Sequence, residues 1–181
     1  MKMTMVFFYF AYGSNLLAER IHLNNPSAIR EGSGKLNGYR LDFNGPKSNF
    51  WKGSPATVVP DTDEYVWGSV WKLNISDLQN LDKQEGVPQK LYIPFETNIE
   101  LSIGQTILCR SYMLNNLPQK ETILPPERRP SEAYLETILL GAKESNLPSE
   151  YIEKLKLIPH NNCRGPIMPW SSLKINDDKE L

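Results

Sequence analysis

The stretch Tyr9-Phe10-Ala11-Tyr12-Gly13-Ser14-Asn15-Leu16 constrains the fold of this chain more than any other. The apolar run at residues 6–10 reads as a buried strand, and the periodicity of residues 15–23 reads as a helix. The chain therefore leaves a strand, turns at Tyr-Gly-Ser and enters a helix. Gly13 permits a positive φ or the close approach of another group. Ser14 or Asn15 is placed to cap the helix, with backbone N–H groups directed outward ahead of it. Such a turn can cradle an anion, whether carboxylate or phosphate. Taken alone, the same pattern is also that of an ordinary capped connection.

The strongest strand is Tyr65-Val66-Trp67-Gly68-Ser69-Val70-Trp71-Lys72-Leu73, β-branched and aromatic, in which Gly68 marks a bulge or close packing. Residues 32–43 alternate and suit one or two antiparallel strands, residues 56–59 a short one turned back by Pro60-Asp61-Thr62-Asp63. Residues 91–101 and 106–114 form a hairpin joined at Gly104. Asn74-Ile75-Ser76-Asp77 offers a capping signal for a helix that stops at Gly86. Two further helices follow at 131–145 and 148–156, after a proline-rich segment at 115–130 of the length that signifies a lid or insertion. Strands followed by helices indicate α+β, with barrel and open sheet both open. One domain at 1–160 and an irregular tail at 161–181 are expected.

A net charge of −1 with scattered Lys and Arg gives no reason to expect nucleic acid or an anionic membrane as partner. Cys109, Cys163, His22 and His160 make no zinc spacing, so neither a metal nor a disulfide is expected. Lys2 followed by the apolar run to Ala11 imitates a signal peptide, and Asp178-Lys179-Glu180-Leu181 has the composition of a retrieval tail in another order. Cleavage after Ala11 would remove the strand that positions the turn, and the run is far short of the roughly 20 residues of a membrane span. A cytosolic protein is the expectation.

Leu81-Asp82-Lys83-Gln84-Glu85-Gly86-Val87 together with Tyr12-Gly13-Ser14-Asn15-Leu16 resembles the γ-glutamylcyclotransferases at every fixed position of both motifs. Trp67-Gly68-x-Val70-Trp71, Ala56-Thr57 and Gly141-Ala142-Lys143-Glu144 extend the resemblance over residues 7–157. It implies a small mixed or antiparallel β-barrel flanked by helices, no cofactor, a homodimer, and a small γ-glutamyl substrate cyclised to 5-oxoproline. It further implies Glu85 as general acid–base and a substrate site formed by Tyr9, Phe10, Ala11, Tyr12, Gly13, Ser14, Asn15, Tyr92 and Tyr134. Tyr134 reads equally well as a core residue of its helix. Where such proteins carry two adjacent glycines, this chain has Gly53-Ser54; if a backbone N–H there approaches substrate, Ser54 crowds it and alters the substrate range. Sister specificities for glutathione or γ-glutamyl-ε-lysine, and a non-catalytic carboxylate-binding module, are the alternatives. An intact Glu85 argues against the last, because a carboxylate binder gains nothing from a negative charge in its pocket.

Overall fold

Five strands carry the architecture of the computed structural model, which describes residues 5–165. They are β1 (Val6–Ala11), β2 (Ile29–Phe43), β3 (Ala56–Asn74), β4 (Tyr92–Leu101) and β5 (Thr106–Leu114). They close a barrel in the order β1-β3-β2-β4-β5. The neighbours in that order pair antiparallel, and the parallel contact of Tyr9 with Arg110 joins β1 to β5 and closes the ring. Four helices flank it: α1 (Ala18–His22), α2 (Leu78–Gln84), α3 (Glu132–Glu144) and α4 (Ser149–Lys156). The fold is therefore α+β with a small mixed barrel, as the family resemblance implied. Among the described residues no helix is long and apolar enough to cross a membrane.

Strand alternation divides the core in two, because successive side chains leave a strand on opposite faces. Phe10, Val58, Val66, Val70, Ile99 and Cys109 share one cluster with Ile138 and Ala142 of α3 and Leu155 of α4. Tyr9, Ala11, Trp71, Leu73, Tyr112 and Leu114 make the other, covered by Ile21 of α1 and Leu81 of α2. The expected close packing at Gly68 is present: a Cβ there would lie 2.3 Å from the Ala11 carbonyl oxygen and 2.6 Å from the Phe10 ring.

Three local expectations fail for tertiary reasons. The chain does not reverse at 60–63; β3 runs on as one strand against β2, and the pairing jumps from Tyr39–Pro60 to Asn37–Tyr65. The turn residues are absorbed as a bulge, opposite Gly38 at φ 78. Nor is 15–23 one helix: a three-residue 3-10 turn, Ser14–Leu16, is followed by Leu17 in extended conformation and then by α1. The Asn15 carbonyl accepts from Trp71 Nε1 at 3.0 Å, and the Leu16 carbonyl from Arg30 Nη2 at 2.9 Å and Ser145 Oγ at 3.1 Å. Those carbonyls find their partners outside the segment, and with Leu17 extended the helical ladder starts again only at α1. Asn74 likewise makes no side-chain cap; the nearby Asp77 carboxylate accepts from Ser27 Oγ at 2.6 Å. The expected tail from residue 166 onward lies outside the described residues.

Replacing Gly68 with Ala should lower stability by about 1–3 kcal/mol, the cost of forcing a methyl into a filled core. Urea unfolding checks this through the midpoint; an unchanged midpoint would show that the β1–β3 contact is slack.

Candidate active site

β1 ends by delivering Tyr12 and Gly13 to one mouth of the barrel, where the 3-10 turn begins. Gly13 sits at φ −109, not in the left-handed region, so its use is the second one expected, close approach. A Cβ there would stand 3.2 Å from Tyr134 Oη. No side chain caps the turn. With only three residues in it, the helix dipole contributes little, and an anion would meet bare local amides. The first donor used within the turn is Leu16 N, to the Gly13 carbonyl at 3.1 Å, leaving the Ser14 and Asn15 amides ahead of it.

Glu85 reaches the same place from α2. It is the C-cap residue, and Gly86 follows at φ 64. The Gly86 amide donates to the Lys83 carbonyl and the Val87 amide to the Asp82 carbonyl, both at 3.0 Å, which is a Schellman closure. This turn holds the backbone on either side of Glu85. Its carboxylate lies beside Asn15 Nδ2 at 3.5 Å, and Tyr9 hydrogen-bonds to it. Asn15 Nδ2 also donates to Tyr9 Oη at 3.2 Å, while its own Oδ1 accepts from Gln84 Nε2 at 3.1 Å. Asn15 is therefore the hinge between the two motifs.

Burial raises the Glu85 carboxyl from 4.5 to about 7, Arg20 opposes the rise, Asp82 adds to it, and the Tyr9 hydrogen bond opposes it. Glu85 keeps some exposure, through the pocket that it lines, while protein packs around its remaining sides. Burial, then the nearby Glu85 charge, hold Tyr9 and Tyr12 well above the usual phenol range; burial, then the Tyr12 and Tyr134 hydroxyls, do the same for Tyr92, and burial pushes Tyr134 up to about 12. All four hydroxyls keep their protons across the physiological range.

The pocket has a volume of about 50 Å³, and it joins Gly13, Ser14, Asn15 and Glu85 with Tyr9, Tyr12, Tyr92 and Tyr134. Two residues expected there are elsewhere. Phe10 is fully buried in the first core cluster, and Ala11 packs in the second beside Trp71. Tyr9 and Phe10 leave β1 on opposite faces, so only one of them can reach the pocket. Tyr92 and Tyr134 act on a third residue: Tyr92 Oη donates to the Ala56 carbonyl at 2.5 Å, and the Ala56 amide donates to Tyr134 Oη at 3.1 Å. Tyr134 is both pocket wall and core residue, its ring 4.7 Å from that of Trp51. Ser54 does not crowd the site; it is fully buried, its Oγ donating to the Glu127 carbonyl at 3.2 Å.

Several participants went unread in the sequence. Tyr112 lines the pocket, donating from its hydroxyl to Asp82 at 2.6 Å while accepting from Arg110 Nε at 2.9 Å. Arg20, buried near Glu85, lies on α1, in the segment whose periodicity read as a helix. The Gly141 and Glu144 positions of the last matched motif clamp the turn. A Cβ on Gly141 would meet the Leu17 amide at 2.5 Å, and Glu144 accepts from the Ala18 amide at 2.9 Å while pairing with Arg30. Among the described residues, no group of three or more His, Cys, Asp or Glu is arranged to hold a metal.

Residues 65–155 match a model of the AIG2-like family. The chain is 44 % identical over 164 residues to the γ-glutamylcyclotransferase of Bos taurus, covering 89 % of this chain and 83 % of the relative. A solved structure titled γ-glutamyl cyclotransferase superposes with a TM-score of 0.82 at 43 % identity, covering 91 % of this chain and 94 % of the other. A yeast γ-glutamyl cyclotransferase titled as specific to glutathione shares the fold at 13 % identity, with a TM-score of 0.60, covering 83 % of this chain and 93 % of its own.

Raising a carboxyl pKa in the folded state makes the native protein bind more protons than the unfolded chain between pH 4.5 and about 7. Stability therefore falls as pH rises through that window. Replacing Glu85 by neutral Gln should remove this slope, leaving the variant more stable than the parent at pH 8 by on the order of 1–3 kcal/mol. Urea titrations of both proteins at pH 5 and pH 8 measure it, and parallel pH dependences would show that Glu85 is not desolvated.

Proposed function

The chain belongs to the γ-glutamylcyclotransferase family and is an enzyme of γ-glutamyl cyclisation, and from that premise we propose a mechanism in which Glu85 carries protons from the substrate's α-nitrogen, which sheds two in going from ammonium to lactam N–H, to the departing nitrogen, which gains two. The substrate is a γ-glutamyl amino acid. Its free α-amine attacks its own γ-carbonyl carbon, the amide bond to the second amino acid breaks, and 5-oxoproline and the free amino acid leave. No water is consumed. The nucleophile is tethered, and a five-membered ring needs only the correct rotamer to be held. Such a reaction asks for no protein nucleophile, metal or cofactor.

Three demands remain. The α-carboxylate needs an anion site, for which the Ser14 and Asn15 amides are the candidates. The α-ammonium must lose a proton before its nitrogen can attack. Glu85 accepts it and returns it to the departing nitrogen, and a carboxyl near 7 suits both halves of that task. The developing oxyanion needs donors, and protonated tyrosine hydroxyls line the pocket that Glu85 faces. The observation that carries the proposal is Glu85 held against Asn15 of the turn, in a tyrosine-walled pocket. We further propose a cytosolic enzyme and, on family resemblance alone, a homodimer, which sedimentation equilibrium tests.

Glu85→Gln should reduce kcat for γ-Glu-Ala by on the order of 10²- to 10⁴-fold, the usual worth of general acid–base catalysis. Retention of most of the activity removes Glu85 from the mechanism.

Ring size gives an independent check. The enzyme should form equimolar 5-oxoproline and alanine from γ-Glu-Ala. From β-Asp-Ala, whose cyclisation would close a four-membered ring, and from α-Glu-Ala it should release nothing. Alanine released from either without a cyclic product would make water the nucleophile.

A further inference from the structure

Five tyrosines line the pocket, and hydrogen bonding commits the protons of four of them. A backbone carbonyl can only accept, so Tyr12 Oη donates to the Tyr112 carbonyl at 2.6 Å and Tyr92 Oη to the Ala56 carbonyl at 2.5 Å. An ionised carboxylate can only accept as well, so the Tyr112 hydroxyl proton goes to Asp82 at 2.6 Å and that of Tyr9 to Glu85. These four oxygens are left able only to accept from a substrate. Tyr134 is the reverse case. The Ala56 amide can only donate, so Tyr134 Oη is the acceptor in that 3.1 Å bond, and no acceptor among the described residues takes its own proton.

That free O–H is fixed in place and polarised. Tyr134 stands in the first turn of α3, where its amide donates to Oγ of the Ser131 cap at 3.1 Å. Its ring packs against those of Trp51 at 4.7 Å and Phe43 at 6.5 Å between centroids. Its oxygen lies 3.2 Å from where a Cβ on Gly13 would stand, at the turn that opens the anion cradle. The peptide unit that donates to it is itself part of a chain. The Pro55 carbonyl accepts from the Asn44 amide at 3.2 Å, and the Ala56 N–H of the same unit donates to Tyr134. Hydrogen bonds in series polarise one another, which makes the Tyr134 O–H a better donor.

We propose that Tyr134 is the catalytic hydrogen-bond donor to the γ-carbonyl oxygen of the substrate. This rests on the cyclisation reading above and assigns the oxyanion contact within it to one residue. The other donors of the lining have their own tasks: the amides and hydroxyl of the Gly13–Asn15 turn serve the α-carboxylate, and Asn15 Nδ2 is given to Tyr9 and Glu85. As the α-nitrogen bonds to the γ-carbonyl carbon, the π pair of the carbonyl moves onto its oxygen. The Tyr134 O–H meets that charge and keeps its proton. The pair returns as the bond to the departing nitrogen breaks. The α-carboxylate carries the same charge throughout, whereas the γ-oxygen gains its charge only on the way to the transition state. The contact therefore belongs in kcat and not in KM.

Tyr134→Phe keeps the ring and removes the donor. It should lower kcat for γ-Glu-Ala by on the order of 10²- to 10³-fold, the worth of one oxyanion donor, with KM within about threefold of the parent. The variant also leaves the Ala56 amide without its acceptor, so a second replacement separates chemistry from support. Site-specific 3-fluorotyrosine at position 134 keeps the ring and both hydrogen-bonding roles but makes the phenol a more acidic, stronger donor. Its single-turnover rate of 5-oxoproline formation should exceed the parent's. An unchanged kcat in Tyr134→Phe, a loss confined to KM (which would hand the proton to the α-carboxylate), or a fluorotyrosine rate no higher than the parent's overturns the assignment while the cyclisation reading stands. If Tyr134→Phe does not fold, the fluorotyrosine rate alone decides. If the parent makes no 5-oxoproline from γ-Glu-Ala, the cyclisation reading fails, and this one with it.

Discussion

The site depends on one uncomfortable placement: a carboxylate half-buried beside tyrosines at the carbonyl end of a helix. Water solvates a carboxylate better than phenol rings do, and the exposed carbonyls of a helix C-terminus oppose its charge further. Nothing in the local sequence favours this. It persists because the Schellman turn at Gly86 holds the backbone on both sides of Glu85, and because Asn15 and Tyr9 supply donors at its oxygens. The nearby Arg20 charge keeps the rise within a range where the group still ionises near neutral pH. Stability is lost so that a weak acid becomes a usable base.

Everything around that placement serves to hold Asn15. The residue lies in a turn too short to be stable as an isolated helix. Its carbonyl is taken by Trp71 of β3, that of Leu16 by Arg30 of β2 and Ser145 beyond α3, and Gly141 lets α3 approach to the backbone. Three elements distant in sequence thus converge on three residues. The barrel brings β1, β2 and β3 into register; the tyrosines then tie the start of β3 to β4 and α3 through the Ala56 peptide.

The parts of this that a sequence displays are the parts with local causes. Alternation gave the strands, the Gly104 hairpin has its positive φ, Ser131 caps α3, and Gly86 ends α2 in the left-handed region. Glu85 and the Tyr12–Gly13–Ser14 turn stood out as motifs, and they do meet in one pocket. What stayed hidden depends on contacts made at a distance. No pattern within 15–23 reveals that Trp71 and Arg30 will claim its carbonyls, so the helix reads as longer than it is. Residues 60–63 have turn chemistry, but β2 pairs on both sides of them and the chain continues. Phe10 and Ala11 belong to a motif that reaches the site, yet strand parity sends Phe10 into the first core cluster, and Ala11, on the face of Tyr9, packs in the second cluster with Trp71. Tyr112 and Arg20 have no local signature at all.

The central claim is that Glu85 works as a base because the fold has moved its titration to near neutrality. The pH dependence of kcat/KM for γ-Glu-Ala tests it most directly, since its acid limb reports the ionisation of the free enzyme's base. The account predicts a rate that rises with pH to a plateau, with an inflection at about 7, and a Glu85→Gln variant whose residual rate lacks that limb. An inflection near 4.5, or a profile in which Glu85→Gln keeps the same limb, would contradict it.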